Sequence, residues 1–284
     1  MVHFGCDPER QYFATLIALE HWIKHVGRRE EGVVDPAIAN ILAKDGKHIN
    51  FQWFRSEFGK DHGRKDELEY GHVIIQSIEL LEQYLYTYGL MVNGQWNNVA
   101  DLVTSMDVPD VVIDYGCGQG LAGLIINDIT DGMVIERAQE IYLIEPSSLA
   151  LDRAAALYQQ LAPSARIVPL CKGFDDIDRA DLPIEDDQTI WHIFSNSLDV
   201  EGYDPVALLN KTIRPGKNLI MAVSPDRDFK GGTPRIQMVK DEIERWAAAS
   251  GDTVVRSTMK TFPCDNPKNS TSVVWLCELE IEDG

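Results

Sequence analysis

The sequence predicts an α/β fold: a mostly parallel sheet of seven strands, one of them antiparallel, with helices on both faces and a helical segment in front. Three observations predict it. From Val108 onward, short apolar runs alternate with helical patterns, the rhythm of a parallel sheet built through crossover helices. The chain then closes on two strands, 253–260 and 272–280, joined by a loop with Pro263, Pro267 and Asn269. That loop is too short for a crossover helix and fits an antiparallel pair. Before Val108, apolar residues recur at helical spacing.

In chain order, Phe13, Leu16, Ile17, Leu19 and Ile23 mark a first helix. Asp35-Pro36 starts a second, running to residue 43. Residues 49–58, rich in aromatics, form a short third. Residues 66–88 make the strongest helix, on the apolar stripe of Leu68, Ile75, Ile78, Leu81, Leu85 and Tyr88. Gly89 and Asn93-Gly94 are read as its stop, and residues 96–105 as another short helix. Strands are expected at 111–114, 141–145, 167–170, 189–194 and 219–223. Helices at 121–127, 149–161, 205–213 and 235–250 alternate with them. The domain organisation expected is residues 1–105 as a helical lid or substrate platform and residues 106–284 as the α/β domain.

The 284 residues, 44% hydrophobic and 25% charged, suffice to bury a core. The net charge of −19 disfavours a large phosphate polymer as partner, since such binding depends on Lys and Arg neutralising phosphates. Five scattered cysteines without a C-x-x-C pair suit reduced thiols rather than a disulfide or zinc framework. The N-terminus does not read as a signal peptide, and nothing approaches the ~18 apolar residues of a membrane span. A cytoplasmic protein without membrane attachment is expected. His21 and His25 share a helical face, but no third ligand accompanies them, and no metal is expected.

The most informative segment is Val111-Val112-Ile113-Asp114-Tyr115-Gly116-Cys117-Gly118-Gln119-Gly120. A buried strand turns through glycines, which permit positive φ and close ligand approach, into the positive end of a helix. Two ligands compete for it. Gly118, Gly120 and Gly123 also satisfy the dinucleotide fingerprint, with Glu145 near the offset of a ribose-binding acid. Against that reading, the residues after Glu145 complete one sheet and leave little for a separate substrate domain.

Asp114 to Gly120 resembles the first motif of class I S-adenosylmethionine-dependent methyltransferases, an acid followed by Gly-x-Gly-x-Gly. Leu143-Ile144-Glu145-Pro146-Ser147 is similar to their second motif, and Ile213-Arg214-Pro215-Gly216-Lys217 to the turn before their fifth strand, with Lys217 where a second glycine is usual. The closing antiparallel pair fits the family's Rossmann-like sheet. The resemblance spans roughly residues 108–280. It implies S-adenosyl-L-methionine as cofactor, with Gly116, Gly118 and Gly120 under its methionine part and Asp114 near its ammonium group. It further implies Glu145 on the ribose hydroxyls, Asp175 on the adenine amine with Asp176 and Asp178 as rivals, and Phe174 with Ile144 around the ring. Core packing competes for the last two.

In such a fold the acceptor meets the methyl group beside the end of the fourth strand. Ser195 and Asn196 are the candidates for acceptor contacts and Asp199 for a base, unless it caps the helix near Pro205. His192, inside the strand, is read as a buried, satisfied histidine, and Tyr84 and Tyr88 as core. The stretch lacks the Asp/Asn-Pro-Pro-Tyr motif of base-amine methyltransferases. The function expected is methylation of a small-molecule or protein acceptor. The alternatives are an RNA methyltransferase, a non-catalytic methyltransferase-like binding subunit, and an NAD(P)-dependent oxidoreductase.

Overall fold

The structure, a computed structural model, describes residues 49–71, 73–264 and 270–282. The helices expected around Phe13 and after Asp35, with His21 and His25, lie outside the described residues.

Among the described residues seven strands form one sheet: β1 (Val111–Tyr115), β2 (Glu140–Ile144), β3 (Arg166–Leu170), β4 (Gln188–Ser195), β5 (Gly216–Pro225), β6 (Thr253–Pro263) and β7 (Thr271–Ile281). Their order is β3-β2-β1-β4-β5-β7-β6. The first five pair in parallel, and β7 runs antiparallel to both β5 and β6. This is the expected Rossmann-like sheet with one antiparallel strand. β1 is buried at all five positions because helices cover both faces.

Strand parity divides the core. Val112, Leu143, Trp191, Ile193 and Met221 pack on one face, under α1 (Phe51–Phe58), α2 (Ile78–Asn97), α4 (Leu121–Thr130) and α5 (Ser148–Leu161). Ile113, Tyr115, Phe194, Ala222 and Trp275 pack on the other, under α6 (Pro205–Thr212) and α7 (Gly232–Ser250). A short helix, α3 (Ala100–Thr104), leads into β1.

Residues 66–88 do not form one helix. Lys65–Gly71 is a 3-10 turn, and α2 starts only after Ser77, whose hydroxyl accepts from Leu80 N. That cap outcompetes the apolar stripe as a start signal. The helix then runs through Gly89 and Gly94 to Asn97. Gly89 is a contact point: a Cβ there would meet the Leu85 side chain at 3.0 Å and the Phe51 ring at 3.6 Å. Trp96 therefore ends α2 rather than beginning the next helix.

The Arg214-Pro215-Gly216 turn is built by burial. Arg214 is 2% exposed and donates to the carbonyls of Lys211, Ile213 and Leu182. Lys217, the departure from the glycine pattern, pairs with Asp107 at 2.5 Å and Glu278 at 2.7 Å. Among the described residues no helix is long and apolar enough to cross a membrane.

Candidate functional site

Strand order reverses between β1 and β4. In open α/β sheets, ligands bind outside the carboxyl ends of the strands at such a switch point. Tyr115 pairs with Ile144 on one side and Phe194 on the other. The next residues along the three strands, Glu145, Gly116 and Ser195, therefore form the rim of that crevice.

The three loop glycines all have positive φ: +67° at Gly116, +52° at Gly118 and +87° at Gly120. Their surroundings differ. A Cβ on Gly116 would meet Ser197 Cβ at 3.0 Å and Phe174 Cζ at 3.2 Å, and one on Gly120 would meet Leu157 and Ala154 of α5 at 3.2–3.3 Å. A Cβ on Gly118 would meet nothing within 4 Å. Gly118 alone of the three faces open space.

Two carboxylates attend this space. Asp114 is fully buried and accepts from the Tyr158 hydroxyl at 2.7 Å through Oδ2, while Oδ1 has no hydrogen-bond partner. Burial raises its pKa to about 7, against the pull of Tyr158. Glu145 follows β2. Its Oε2 accepts from Gly118 N at 3.1 Å and its Oε1 from Ser147 N at 2.8 Å. Burial pushes its pKa up too, opposed by those backbone donors. Each oxygen keeps a further lone pair.

The loop is anchored from behind. Gln119 donates to Leu81 O of α2 at 3.1 Å and accepts from Arg153 at 3.2 Å. Ser147 caps α5 and donates to Ile75 O. Tyr84 of α2 is half-buried, 5.3 Å from Tyr88 ring to ring. Burial first, then the fields of Glu145, Tyr88 and Asp199, raise its phenol's pKa. Tyr84 thus packs with the core, as expected, and also lies within range of both acids.

Beyond β3, Phe174 is half-buried against Tyr203 at 4.5 Å and leans over Gly116. Asp175 and Asp176, in the same 3-10 turn, are exposed, as is Asp178 after it. Ile144 is fully buried among core residues.

At the end of β4, Ser195 Oγ accepts from Trp96 Nε1 of α2 at 3.0 Å. Asn196 adopts φ +57°, a left-handed conformation that asparagine tolerates better than most residues. Its backbone N–H donates to Val223 O at 2.8 Å, its Nδ2 donates to Ser195 Oγ at 3.4 Å, and its Oδ1 is buried without a partner. Asp199 is 1% exposed, and both its oxygens are engaged, by Ser224 Oγ at 2.9 Å and Arg227 Nη2 at 2.8 Å. It does not cap α6. Asp204 does, accepting from Val206 N and Ala207 N at 3.0 Å. His192 is fully buried between Tyr115 Oη at 3.0 Å and Asn218 Oδ1 at 3.1 Å, and burial lowers its pKa to about 4. It is the satisfied core histidine that strand-interior placement suggests.

The structure therefore brings Asp114, Gly118 and Glu145 together on one side of the crevice and Ser195 with Asn196 on the other. Asp199 is held in an ion pair. Sequence reasoning did not single out Tyr158 or Gln95. No sequence signal marks Tyr158: a Cβ on Gly123 would lie 2.1 Å from its hydroxyl, a closeness that only the packing of α5 creates.

No family model and no curated protein matches the sequence. Solved structures with a similar arrangement include three proteins. The plantazolicin methyltransferase BpumL in complex with SAH is 14% identical, covers 87% of this chain and 99% of its own, and has a TM-score of 0.42. TYW2 of M. jannaschii in complex with AdoMet is 15% identical, with 66% and 76% covered and a TM-score of 0.41. The magnesium protoporphyrin IX methyltransferase of Synechocystis PCC 6803 with bound SAM is 11% identical, with 82% and 99% covered and a TM-score of 0.39.

Proposed function

We propose that this crevice binds S-adenosyl-L-methionine and that the chain is a methyltransferase acting on a small-molecule or protein acceptor. One observation carries the reading: the open space at Gly118 is flanked by Glu145 and by a buried Asp114 whose Oδ1 lacks a partner. A buried carboxylate oxygen without a donor is costly unless a ligand supplies one. A ligand with an ammonium group and a ribose diol suits those two acids.

The same loop weighs against a dinucleotide. In that fingerprint the second glycine lets the backbone approach a pyrophosphate. Here that glycine is Gly120, and the place of its missing Cβ is faced by Leu157 and Ala154. The two acids would also repel phosphates.

When bound, the cofactor supplies a methyl group already activated by a positive sulfur. The chain's own part is to hold and align. Asp114 holds the ammonium charge at its open oxygen. Glu145 accepts from the ribose hydroxyls with the lone pairs its backbone donors leave free. Phe174 flanks the adenine, with Asp175 on its amine. Ser195 and Asn196 contact the acceptor. We give Asp199 a positioning role, because Ser224 and Arg227 occupy both its oxygens. The described helical segment before β1, α2 above all, forms the substrate platform, and the bond from Trp96 to Ser195 supports this.

Calorimetry tests the reading. The chain is expected to bind S-adenosylmethionine and S-adenosylhomocysteine but not NAD. Gly118→Arg fills the open space and should abolish that binding while the fold persists. Glu145→Ala should weaken it. A wild-type chain that binds neither sulfur nucleotide overturns the proposal.

A further inference from the structure

The acceptor side of the crevice holds a second group of unpartnered polar atoms. Gln95 of α2 is fully buried, and neither its Oε1 nor its Nε2 has a hydrogen-bond partner. Ser272 of β7 is 1% exposed, and its Oγ has none. Asn196 Oδ1 is the third such site.

Register and the contacts of α2 place them on one side of the sheet. Ser195, Val223 and Val274 lie in one row across β4, β5 and β7. Val223 and Val274 belong to the core on the α2 face. Ser272, two residues from Val274, shares that face, one strand repeat of about 6.6 Å further toward the carboxyl edge. Two sets of contacts fix α2 over this region. Trp96 reaches Ser195. Met91 O accepts from Cys264 Sγ at 3.7 Å, and Asn98 Nδ2 donates to Pro263 O at 3.1 Å. Gln95 lies four residues after Met91 and three before Asn98, on the same helical face. It therefore lies on the side of α2 whose neighbours Met91 and Asn98 contact Cys264 and Pro263.

We propose that this cluster recognises a neutral carboxamide on the acceptor, an inference that rests on the methyltransferase reading of the site. The donor and acceptor inventory fits. Gln95 offers one acceptor and two donors, Asn196 Oδ1 an acceptor, and Ser272 either. A carboxamide returns N–H groups to Gln95 Oε1 and Asn196 Oδ1, and its carbonyl accepts from Gln95 Nε2 or the Ser272 hydroxyl. None of the three residues carries charge, and the charged side chain after them, Asp199, is neutralised by Arg227. An ionised acceptor group would be buried there without a counter-charge, which is unfavourable.

The test uses the full chain, with benzamide as probe and benzoate as its charged counterpart, titrated with and without S-adenosylhomocysteine and followed by NMR. Benzamide is expected to bind saturably and benzoate at least about tenfold more weakly. Gln95→Leu should lower benzamide affinity about tenfold and Ser272→Ala a few-fold, while S-adenosylhomocysteine affinity stays unchanged. Thermal unfolding gives a readout that a structural glutamine would not share. Removing an unpartnered buried amide should leave Tm unchanged or raise it, whereas loss of a packing role would lower it. Equal benzamide affinity in wild type and Gln95→Leu, no benzamide binding, or a lowered Tm would each overturn the inference. Failure of S-adenosylhomocysteine to bind counts against the cofactor reading instead. Gln95-dependent benzamide binding without it would still support the carboxamide site.

Discussion

Asp114 shows how one residue couples burial to ligand chemistry. Its carboxyl is taken from water, stabilised only by Tyr158, and titrates at about 7 instead of 3.8. Because the folded value lies above the unfolded one, the protonated acid is favoured by folding. The stability it contributes is present below pH 3.8 and lost as pH rises through 7. Its affinity for an ammonium group runs the other way, since only the carboxylate pairs with a cation. Calorimetry with S-adenosylhomocysteine should show affinity rising between pH 6 and 8, and Asp114→Asn should flatten that rise. Glu145 is shifted in the same direction, so Glu145→Gln serves as the control that must retain it. Gly123 supplies a stability test nearby. Gly123→Ala drives a methyl group into the Tyr158 ring and should cost about 1–3 kcal/mol in denaturant melts. The strand and the glycines were legible from sequence because short apolar runs and positive-φ residues announce themselves locally. Tyr158 was not, since its bond to Asp114 spans 44 residues and depends on how α5 packs.

At the scale of elements, two loops at the carboxyl edge are locked by Asp199. Its carboxylate pairs with Arg227 from the loop after β5, and its carbonyl accepts from Gly232 N at 3.0 Å. Gly231 has φ +81°, and a Cβ there would strike that carbonyl oxygen at 2.2 Å. The β4 and β5 loops therefore cannot move independently. Replacing Arg227 with methionine strands a carboxylate that is 1% exposed. The expected loss is about 3–5 kcal/mol of unfolding free energy, and turnover should fall more than S-adenosylhomocysteine affinity, because the acceptor side is what loosens. Unchanged stability would remove Asp199 from this role. Sequence reading offered Asp199 as base or helix cap because a carboxylate after a strand suits either; its partner lies 28 residues on. The helix expected at 66–88 shows the opposite limit. Apolar spacing located the right surface, but a single hydroxyl at Ser77 decided where regular helix begins.

At the scale of the molecule, the charge of −19 sets what can approach the crevice. Exposed Asp175, Asp176 and Asp178 lie beside it, and Glu145 on its rim. Lys172, the nearest lysine in sequence to these aspartates, is already paired with Asp181 at 2.7 Å. Arg227, on the acceptor side, is committed to Asp199. A phosphate backbone drawn along this edge would meet Asp175, Asp176 and Asp178 with the exposed Arg179 beside them, and polyanion binding depends on releasing counterions through several such cations. Filter binding with transfer RNA at 150 mM salt is therefore expected to give no saturable retention. Lowering the salt, which strengthens electrostatic attachment wherever basic patches exist, should produce at most weak retention. Saturable retention at 150 mM, with a steep loss as salt rises, would overturn this charge argument. It would move the acceptor from a small molecule or protein to RNA.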